Sequence, residues 1–210
     1  MKPFSAILLI GPTGAGKTPL GALCEKKGLW HSNVFHFDFG AILRCIAATG
    51  PGRFDLTGPD VGVIRRSLAT GKLLENRHFP IARNILLSYA KEKRMQGQDL
   101  MLLNGLPRHA GQAVDMEPFV RVIQVLALTC TPEVVKERIR RNTGGDRTRR
   151  KDDDRDAIET KLSIFRRQTA PLLDHYRQKG TPILSLIVEI DTTPERIYRQ
   201  LSKPCDCINT

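Results

Sequence analysis

Residues 6–18 read Ala-Ile-Leu-Leu-Ile-Gly-Pro-Thr-Gly-Ala-Gly-Lys-Thr, a short apolar run followed directly by a glycine-rich loop. The apolar run predicts a buried strand, and the loop matches the spacing G-x-x-x-x-G-K-[ST]. Glycines allow backbone N–H groups to surround phosphate oxygens, and the helix that follows directs its positive end at the same anion. This stretch therefore predicts an α/β fold with a nucleoside triphosphate site where the first strand ends.

The residues of this phosphate loop, residues 11–18, have distinct expected parts in binding. Lys17 is expected to neutralise the β- and γ-phosphates of ATP. The hydroxyl of Thr18 is expected to ligate the Mg²⁺ that accompanies ATP, which is the cofactor that the sequence predicts. The predicted ATP-binding residues of the loop are Gly11, Pro12, Thr13, Gly14, Ala15, Gly16, Lys17 and Thr18.

Composition and charge narrow the class of protein further. The 210 residues are 40% hydrophobic and 26% charged, which is typical of one globular domain. The longest apolar runs are far shorter than the ~20 residues that cross a bilayer, and no signal-peptide pattern is present, so we expect a cytoplasmic protein. The net charge of +11 indicates an anionic partner. The scattered cysteines, among them Cys205 and Cys207, predict free thiols.

Apolar runs and helical patterns alternate along the whole chain. Nearly continuous apolar runs predict five buried parallel strands, at 6–10, 34–37, 100–103, 122–128 and 183–190. Helices are predicted at 17–27, 39–48, 60–70, 77–94, 132–141, 153–179 and 194–202, with Pro171 expected to kink the longest of them. The pattern predicts a three-layer α/β fold, a five-stranded parallel sheet with helices on both faces.

Three further segments occur in a specific order after the phosphate loop. They are Phe-Asp-Phe-Gly-Ala-Ile-Leu-Arg at 37–44, Asn-Gly-Leu-Pro-Arg-His-Ala-Gly-Gln-Ala at 104–113, and Arg-Arg-Lys-Asp-Asp at 149–153. Together with the loop they resemble the nucleoside monophosphate kinases, and the adenylate kinases most closely. The resemblance extends over nearly the whole chain. It implies a P-loop kinase that transfers the γ-phosphoryl group of Mg-ATP to a nucleoside monophosphate, AMP foremost, so that ATP and AMP give two ADP.

The resemblance also implies a division of the chain into a core and two functional segments. Residues 38–76 would form a helical acceptor-binding insertion, and residues 142–152 a short lid. The core would comprise 1–37, 77–141 and 153–210. None of the cysteines falls in the lid segment, so a zinc-bearing lid is excluded. We expect a monomer that binds ATP and a nucleoside monophosphate, with neither a nucleic acid nor a membrane as a partner.

On the acceptor side, the resemblance implies that Arg44 and Arg108 grip the phosphate of the monophosphate. Gly105 and Gln112 would meet its base. Phe39 occupies a position where the family has a small polar residue. Its ring would either pack in the core or stack on the acceptor base, and both interpretations remain open from the sequence.

On the donor side, the resemblance implies that Arg138 lies over the nucleotide and that Arg150 reaches the transferring phosphoryl group from the lid. Lys161 stands where the family has a further catalytic arginine, and Asn142 replaces another arginine. Asn104 replaces the family's Asp before Gly-x-Pro-Arg, an acid that helps organise Mg²⁺ through water.

Three other functions are compatible with a phosphate loop. One is a P-loop kinase that phosphorylates a small metabolite alcohol, although Arg44 and Arg108 favour an acceptor that already carries phosphate. Another is an RNA-binding P-loop protein, which the charge would suit. An aromatic content of only 6%, without aromatic residues among the basic ones, is unfavourable for base stacking. The third is a catalytically inactive relative, because of the departures at Asn104, Asn142 and Lys161.

Overall fold

A five-stranded, all-parallel sheet forms the middle layer of the protein. The structure, a computed structural model, describes residues 2–52, 54–146 and 154–202. Along the sheet the strands follow the order β2-β3-β1-β4-β5, so the first strand lies in the centre. The strands are β1 (Phe4–Ile10), β2 (Val34–Asp38), β3 (Leu100–Asn104), β4 (Val120–Thr129) and β5 (Ile183–Ile187). The predicted parallel sheet is confirmed, although β5 ends at Ile187 and not at residue 190.

Helices connect the strands, and most lie where the sequence predicts them. They are α1 (Lys17–Lys27), α2 (Phe39–Thr49), α3 (Gly58–Thr70), α4 (Phe79–Glu92), α5 (Ala110–Met116), α6 (Pro132–Arg140), α7 (Arg155–Ile164), α8 (Leu172–Gln178) and α9 (Pro194–Leu201). A 3₁₀ turn, Asn76–His78, precedes α4. The short helix α5 was not predicted. No helix of the described residues is both long and apolar enough to cross a membrane.

Alternate residues of the central strand supply the two faces of the core. Leu8 and Ile10 pack in one cluster, which α2, α3, α4 and α8 cover. Ile7 and Leu9 point to the other face, where they join a second cluster under α1 and α9. This alternation follows from the two-residue period of a strand. The sheet is therefore buried on both faces, as the continuous apolar runs predict, and the predicted three-layer P-loop kinase fold is confirmed.

The long helix predicted over 153–179 is broken into two α-helices. A π-helical segment, Phe165–Thr169, separates α7 from α8, and the N–H of Ala170 donates to the carbonyl of Phe165 at 2.8 Å. Pro171 has no N–H to donate, and its ring would clash with a carbonyl one turn earlier in a regular helix. The expected kink is therefore confirmed as a break, and the irregular turn lies before the proline.

Helix α1 approaches the sheet closely at Gly21. A Cβ atom at residue 21 would lie 2.2 Å from Nε2 of His36, whose ring lies between α1 and β2. We expect Gly21→Ala to destabilise the protein by about 1–3 kcal/mol through overpacking, despite the better helix propensity of alanine. Urea unfolding of the purified variant measures this free energy.

Gly62 in α3 provides the matched control. A Cβ atom there would have Nη1 of Arg66 as its nearest neighbour, at 3.8 Å. Gly62→Ala should therefore stabilise the protein by roughly 0.5–1 kcal/mol, the usual gain inside a helix. A stabilising effect of both substitutions would show that His36 moves aside without cost.

Candidate active site

A cleft of about 240 Å³ opens at the carboxyl ends of β1, β2 and β3. In parallel α/β sheets this edge is where ligands bind. Among the described residues, six basic and two acidic side chains line the cleft: Lys17, Arg44, Lys72, Arg108, Arg138 and Lys161, with Asp38 and Asp146. The excess of positive charge creates a site that attracts polyanions.

The cleft brings together most of the residues that the sequence analysis selected. These are Gly11, Thr13, Gly14, Gly16, Lys17, Thr18, Phe39, Arg44, Gly105, Arg108, Gln112, Arg138 and Lys161. Pro12 and Ala15 belong to the phosphate loop without lining the cleft, and Ala15 packs in the core below it. Arg150 lies in 147–153, outside the described residues, as do Cys205 and Cys207.

The phosphate loop has the tight backbone that its glycines predict. Gly14 and Gly16 adopt φ angles of +79° and +91°, which residues with a Cβ atom rarely adopt. Helix α1 begins at Lys17, so its amino-terminal N–H groups face the loop. The ammonium group of Lys17 donates to the carbonyls of Gly11 and Pro12, at 2.6 and 2.7 Å. The loop therefore holds its lysine at the mouth of the anion site.

Thr18 contacts two strand-end residues from neighbouring strands. Its hydroxyl donates to Oδ2 of Asp38 at 2.7 Å, and Nδ2 of Asn104 lies 3.2 Å from the same hydroxyl. Asp38 and Asn104 are Cα partners in the β2–β3 pairing, and Nδ2 of Asn104 donates to Asp38 at 3.0 Å. A hydroxyl and a carboxylate are the oxygen ligands that Mg²⁺ prefers, so these residues fit the metal that accompanies ATP.

His36 lies next to this polar group in the interior. Its Nε2 is 3.4 Å from Nδ2 of Asn104, and its carbonyl accepts a hydrogen bond from the Tyr89 hydroxyl at 2.9 Å. Burial lowers the pKa of His36 below its ordinary value, although the nearby Asp38 opposes the shift. A neutral imidazole is therefore expected at neutral pH.

Arg108 presents a guanidinium group that has no acidic partner in the described part of the chain. It follows the buried residues Leu106 and Pro107, which fix its backbone beside the cleft. No residue of 2–52, 54–146 or 154–202 accepts a hydrogen bond or forms an ion pair with its side chain. Burial lowers the pKa of Arg108 to about 10, so the group remains charged at neutral pH. A desolvated, unpaired cation of this kind indicates an anionic ligand.

Gln112 is fixed by contacts with backbone groups. It is 1% exposed, its Oε1 accepts from the Arg108 N–H at 2.8 Å, and its Nε2 donates to the Leu74 carbonyl at 3.0 Å. A primary amide has two hydrogens on nitrogen, so one remains for a ligand. Gly105, at φ +86°, makes the turn between β3 and this segment.

Phe39 combines the two locations that the sequence left open. It is the first residue of α2, only 4% exposed, and its ring stacks on that of Phe37 with centroids 5.9 Å apart. The residue therefore belongs to the core, as one interpretation expected. It also lines the cleft next to Gly40 and Leu43, so contact with an acceptor base stays a prediction.

Substitution of Phe39 by leucine should report on both locations. We expect Phe39→Leu to destabilise the protein by about 1 kcal/mol or more, because aromatic volume is lost from the core. The KM for AMP should rise several-fold as well, because the ring borders the cleft. Phe37→Leu is the matched control: Phe37 is fully buried and does not line the cleft, so its loss should lower the melting temperature without changing KM. Equal AMP kinetics in the two variants would remove Phe39 from the acceptor site.

Arg138 joins the phosphate loop to the segment that follows β5. Its Nε donates to the Gly14 carbonyl at 3.0 Å, and its Nη1 lies 2.7 to 3.0 Å from the carbonyls of Glu189, Ile190 and Thr192. The remaining nitrogen, Nη2, lies 3.2 Å from where a Cβ atom of residue 16 would be. The side chain is 3% exposed. Arg138 therefore supports the loop, with one nitrogen directed toward it.

Residues from the broken helix also line the cleft. Lys161 of α7 lines it, together with Ile164, Phe165 and Thr169 from the end of α7 and the π-helical segment. Irregular turns of this type often occur at functional sites. Asp38, Lys72 and Asp146 were missed as site residues by the sequence analysis. Asp38 could have been found as a site residue because its carboxylate follows a predicted strand. No feature of the sequence indicated Lys72 or Asp146.

Comparisons with known proteins agree with this geometry. No family model matches the chain. The adenylate kinase of Synechococcus sp. (strain WH7803) is 30% identical over 193 residues, which cover 88% of this chain and 88% of that protein. The adenylate kinases of Parasynechococcus marenigrum (strain WH8102) and Rhodopirellula baltica are each 29% identical, over 95% and 97% of this chain and 97% and 94% of their own lengths. The similarity to these adenylate kinases extends over almost the whole chain, including the phosphate loop and the residues of the basic cleft. The chain therefore belongs to the adenylate kinase family of nucleoside monophosphate kinases and is an ATP-dependent phosphotransferase.

Proposed function

We propose that the protein transfers the γ-phosphoryl group of Mg-ATP to AMP. The observation that carries this proposal is the half-buried Arg108 guanidinium, which lines the same cleft as the phosphate loop and has no counter-charge among the described residues. A kinase for an uncharged alcohol would have no use for such a cation. An acceptor that already carries phosphate supplies the missing anion.

We assign the donor side of the cleft to the phosphate loop. Its backbone N–H groups and Lys17 bind the triphosphate, and the helix α1 amino terminus adds its positive potential. Arg138 supports the loop through its hydrogen bond to the Gly14 carbonyl, and its Nη2 is available to contact the nucleotide.

We assign the acceptor side to residues 38–76 and to the segment after β3. Arg44 and Arg108 bind the phosphate of AMP, while Gln112 offers its free amide hydrogen to the base. The Leu74 carbonyl, which accepts from Gln112 at 3.0 Å, connects residues 38–76 to α5. Phe39 and Leu43 border the same side of the cleft and supply an apolar surface.

Transfer requires two phosphates held in line and the spreading charge neutralised. Lys161 contributes a further cation to the cleft. Arg150 is assigned to the transferring group, and residues 142–152 to a short lid that excludes water. Thr18 would hold Mg²⁺, with Asp38 beside it. The metal supplies charge neutralisation across the β- and γ-phosphates when it is bound.

We also propose that the protein acts as a monomer in the cytoplasm. A coupled assay with Mg-ATP against AMP, GMP, CMP, UMP and dTMP tests the proposal, with a panel of metabolite alcohols as the control. AMP should give the highest kcat/KM. Turnover only with an alcohol would make the protein a metabolite kinase, and no turnover with any acceptor would make it an inactive relative.

A further inference from the structure

We propose that Asp38 supplies the carboxylate that organises the metal of the bound nucleotide, by holding the Thr18 hydroxyl. This inference rests on the proposed function, because it assumes that the phosphate loop binds a magnesium nucleotide. It assigns the acid to the end of β2, whereas the residue that ends β3, Asn104, carries an amide.

The hydrogen bonds of Thr18 support this assignment. A hydroxyl has one hydrogen and two lone pairs. The hydrogen of Thr18 is given to Oδ2 of Asp38 at 2.7 Å, and Nδ2 of Asn104 approaches the same oxygen at 3.2 Å. With its hydrogen held by the carboxylate and one lone pair turned toward the amide, the oxygen keeps a second lone pair for a cation. Asp38 thus fixes the orientation in which Thr18 can act as a metal ligand.

The distribution of charge points to the same residue. Of the described residues that line the cleft, only Asp38 and Asp146 carry carboxylates, and six side chains carry positive charge. Only the first of these two acids contacts Thr18 in the described part of the chain. A divalent cation in this basic cleft needs a nearby negative group besides the nucleotide, and Asp38 provides it.

The Asn104 amide complements the Asp38 carboxylate as a hydrogen-bond donor. Positions 38 and 104 face each other across β2 and β3, and the amide donates to the carboxylate at 3.0 Å. A second carboxylate at this distance would repel the first and raise the pKa of one of them. Positions 38 and 104 therefore hold one acid and one amide, which places a single carboxylate beside Thr18.

The two oxygens of Asp38 have separate functions, which makes a clean variant possible. Oδ2 contacts Thr18, whereas Oδ1 accepts from the Ala41 N–H at 2.8 Å and caps α2. Asparagine caps helices about as well as aspartate. Asp38→Asn therefore removes the charge next to Thr18 while it keeps the helix cap.

The experiment measures the dissociation constant of the non-hydrolysable analogue AMP-PNP by calorimetry, once with excess Mg²⁺ and once with EDTA. For Asp38→Asn we expect the magnesium complex to bind roughly 10- to 100-fold more weakly, the usual cost of losing a group that orients a metal ligand. Metal-free AMP-PNP should bind as well as it does to the wild type, or better, because a negative charge has left the phosphate site.

Two further variants complete the test. Asp156→Asn removes an exposed carboxylate that does not line the cleft and should leave the ratio of the two dissociation constants unchanged. The exchange Asp38→Asn with Asn104→Asp returns one carboxylate to the pair and should restore most of the magnesium-dependent affinity.

Equal losses with Mg²⁺ and with EDTA in Asp38→Asn would overturn the inference and leave Asp38 as a helix cap. If the exchange variant recovers none of the magnesium-dependent affinity for AMP-PNP, the conclusion that a carboxylate at either position 38 or position 104 is sufficient would be wrong. If the wild type binds AMP-PNP under neither condition, the proposed function itself fails and the inference fails with it.

Discussion

Lys17→Ala should lower kcat by roughly 10²–10³-fold, the usual loss when one preorganised cationic or hydrogen-bonding group is removed from a transition state. The ammonium group is already held at the mouth of the anion site by the carbonyls of Gly11 and Pro12. The melting temperature should change little, because Lys17 is outside both large core clusters.

Lys26 provides the control for this experiment. It lies on the exposed face of the same helix, α1, and does not line the cleft. Lys26→Ala should therefore keep wild-type kcat. Steady-state kinetics of both variants at saturating Mg-ATP and acceptor measure the difference. If Lys17→Ala kept more than about a tenth of wild-type kcat, a change in barrier under ~1.4 kcal/mol, the assignment of the phosphate loop would be wrong.

Arg108→Ala should damage the acceptor side, by raising KM for the monophosphate and lowering kcat. Loss of a charge-assisted contact to phosphate costs about 1.5–3 kcal/mol, which corresponds to roughly 10- to 150-fold in kcat/KM. The stability of the free protein should not fall, because no residue in the described parts of the chain pairs with this guanidinium. Removal of a desolvated, unpaired charge is neutral or stabilising.

The opposite effects on activity and stability make this variant informative. Arg121, exposed on β4, is the control, since Arg121→Ala removes the same charge without reaching the cleft. Kinetics with varied AMP and with varied ATP, together with urea unfolding, separate the two effects. Unchanged AMP kinetics with weakened ATP binding would contradict the acceptor role.

The fold could be predicted because its central strands, β1, β3 and most of β4, are buried on both faces. Continuous apolar runs predict which residues form the sheet, and the glycine-rich loop identifies β1 as the strand that precedes it. Helix α5 was missed because Ala110–Met116 is short and its apolar positions complete less than two helical turns. The π-helical segment was missed because a helical pattern shows that Pro171 disturbs the helix without showing which turn accommodates the disturbance.

The candidate site was predictable where residues are close in sequence, and less so where the sheet brings them together. The phosphate loop and Arg108 could be found from local motifs. The contact between Thr18 and Asp38 depends on how β1, β2 and β3 are ordered, which the sequence alone did not establish. The burial of Arg138 depends on the segment at 189–192, some 50 residues away in the chain.

The position of β1 in the middle of the sheet affects how the protein folds during synthesis. The strand emerges first, yet its hydrogen-bonding partners are β3 and β4, at Leu100–Asn104 and Val120–Thr129. Gly11 packs against Leu128, whose carbonyl oxygen would lie 2.9 Å from a Cβ atom at residue 11. Nascent chains that end before β3 thus expose both edges of an apolar strand, and chains that end between β3 and β4 still expose one edge, a state prone to aggregation. Such non-local pairing is slow. The phosphate loop can therefore acquire its binding shape only after β4 has left the ribosome.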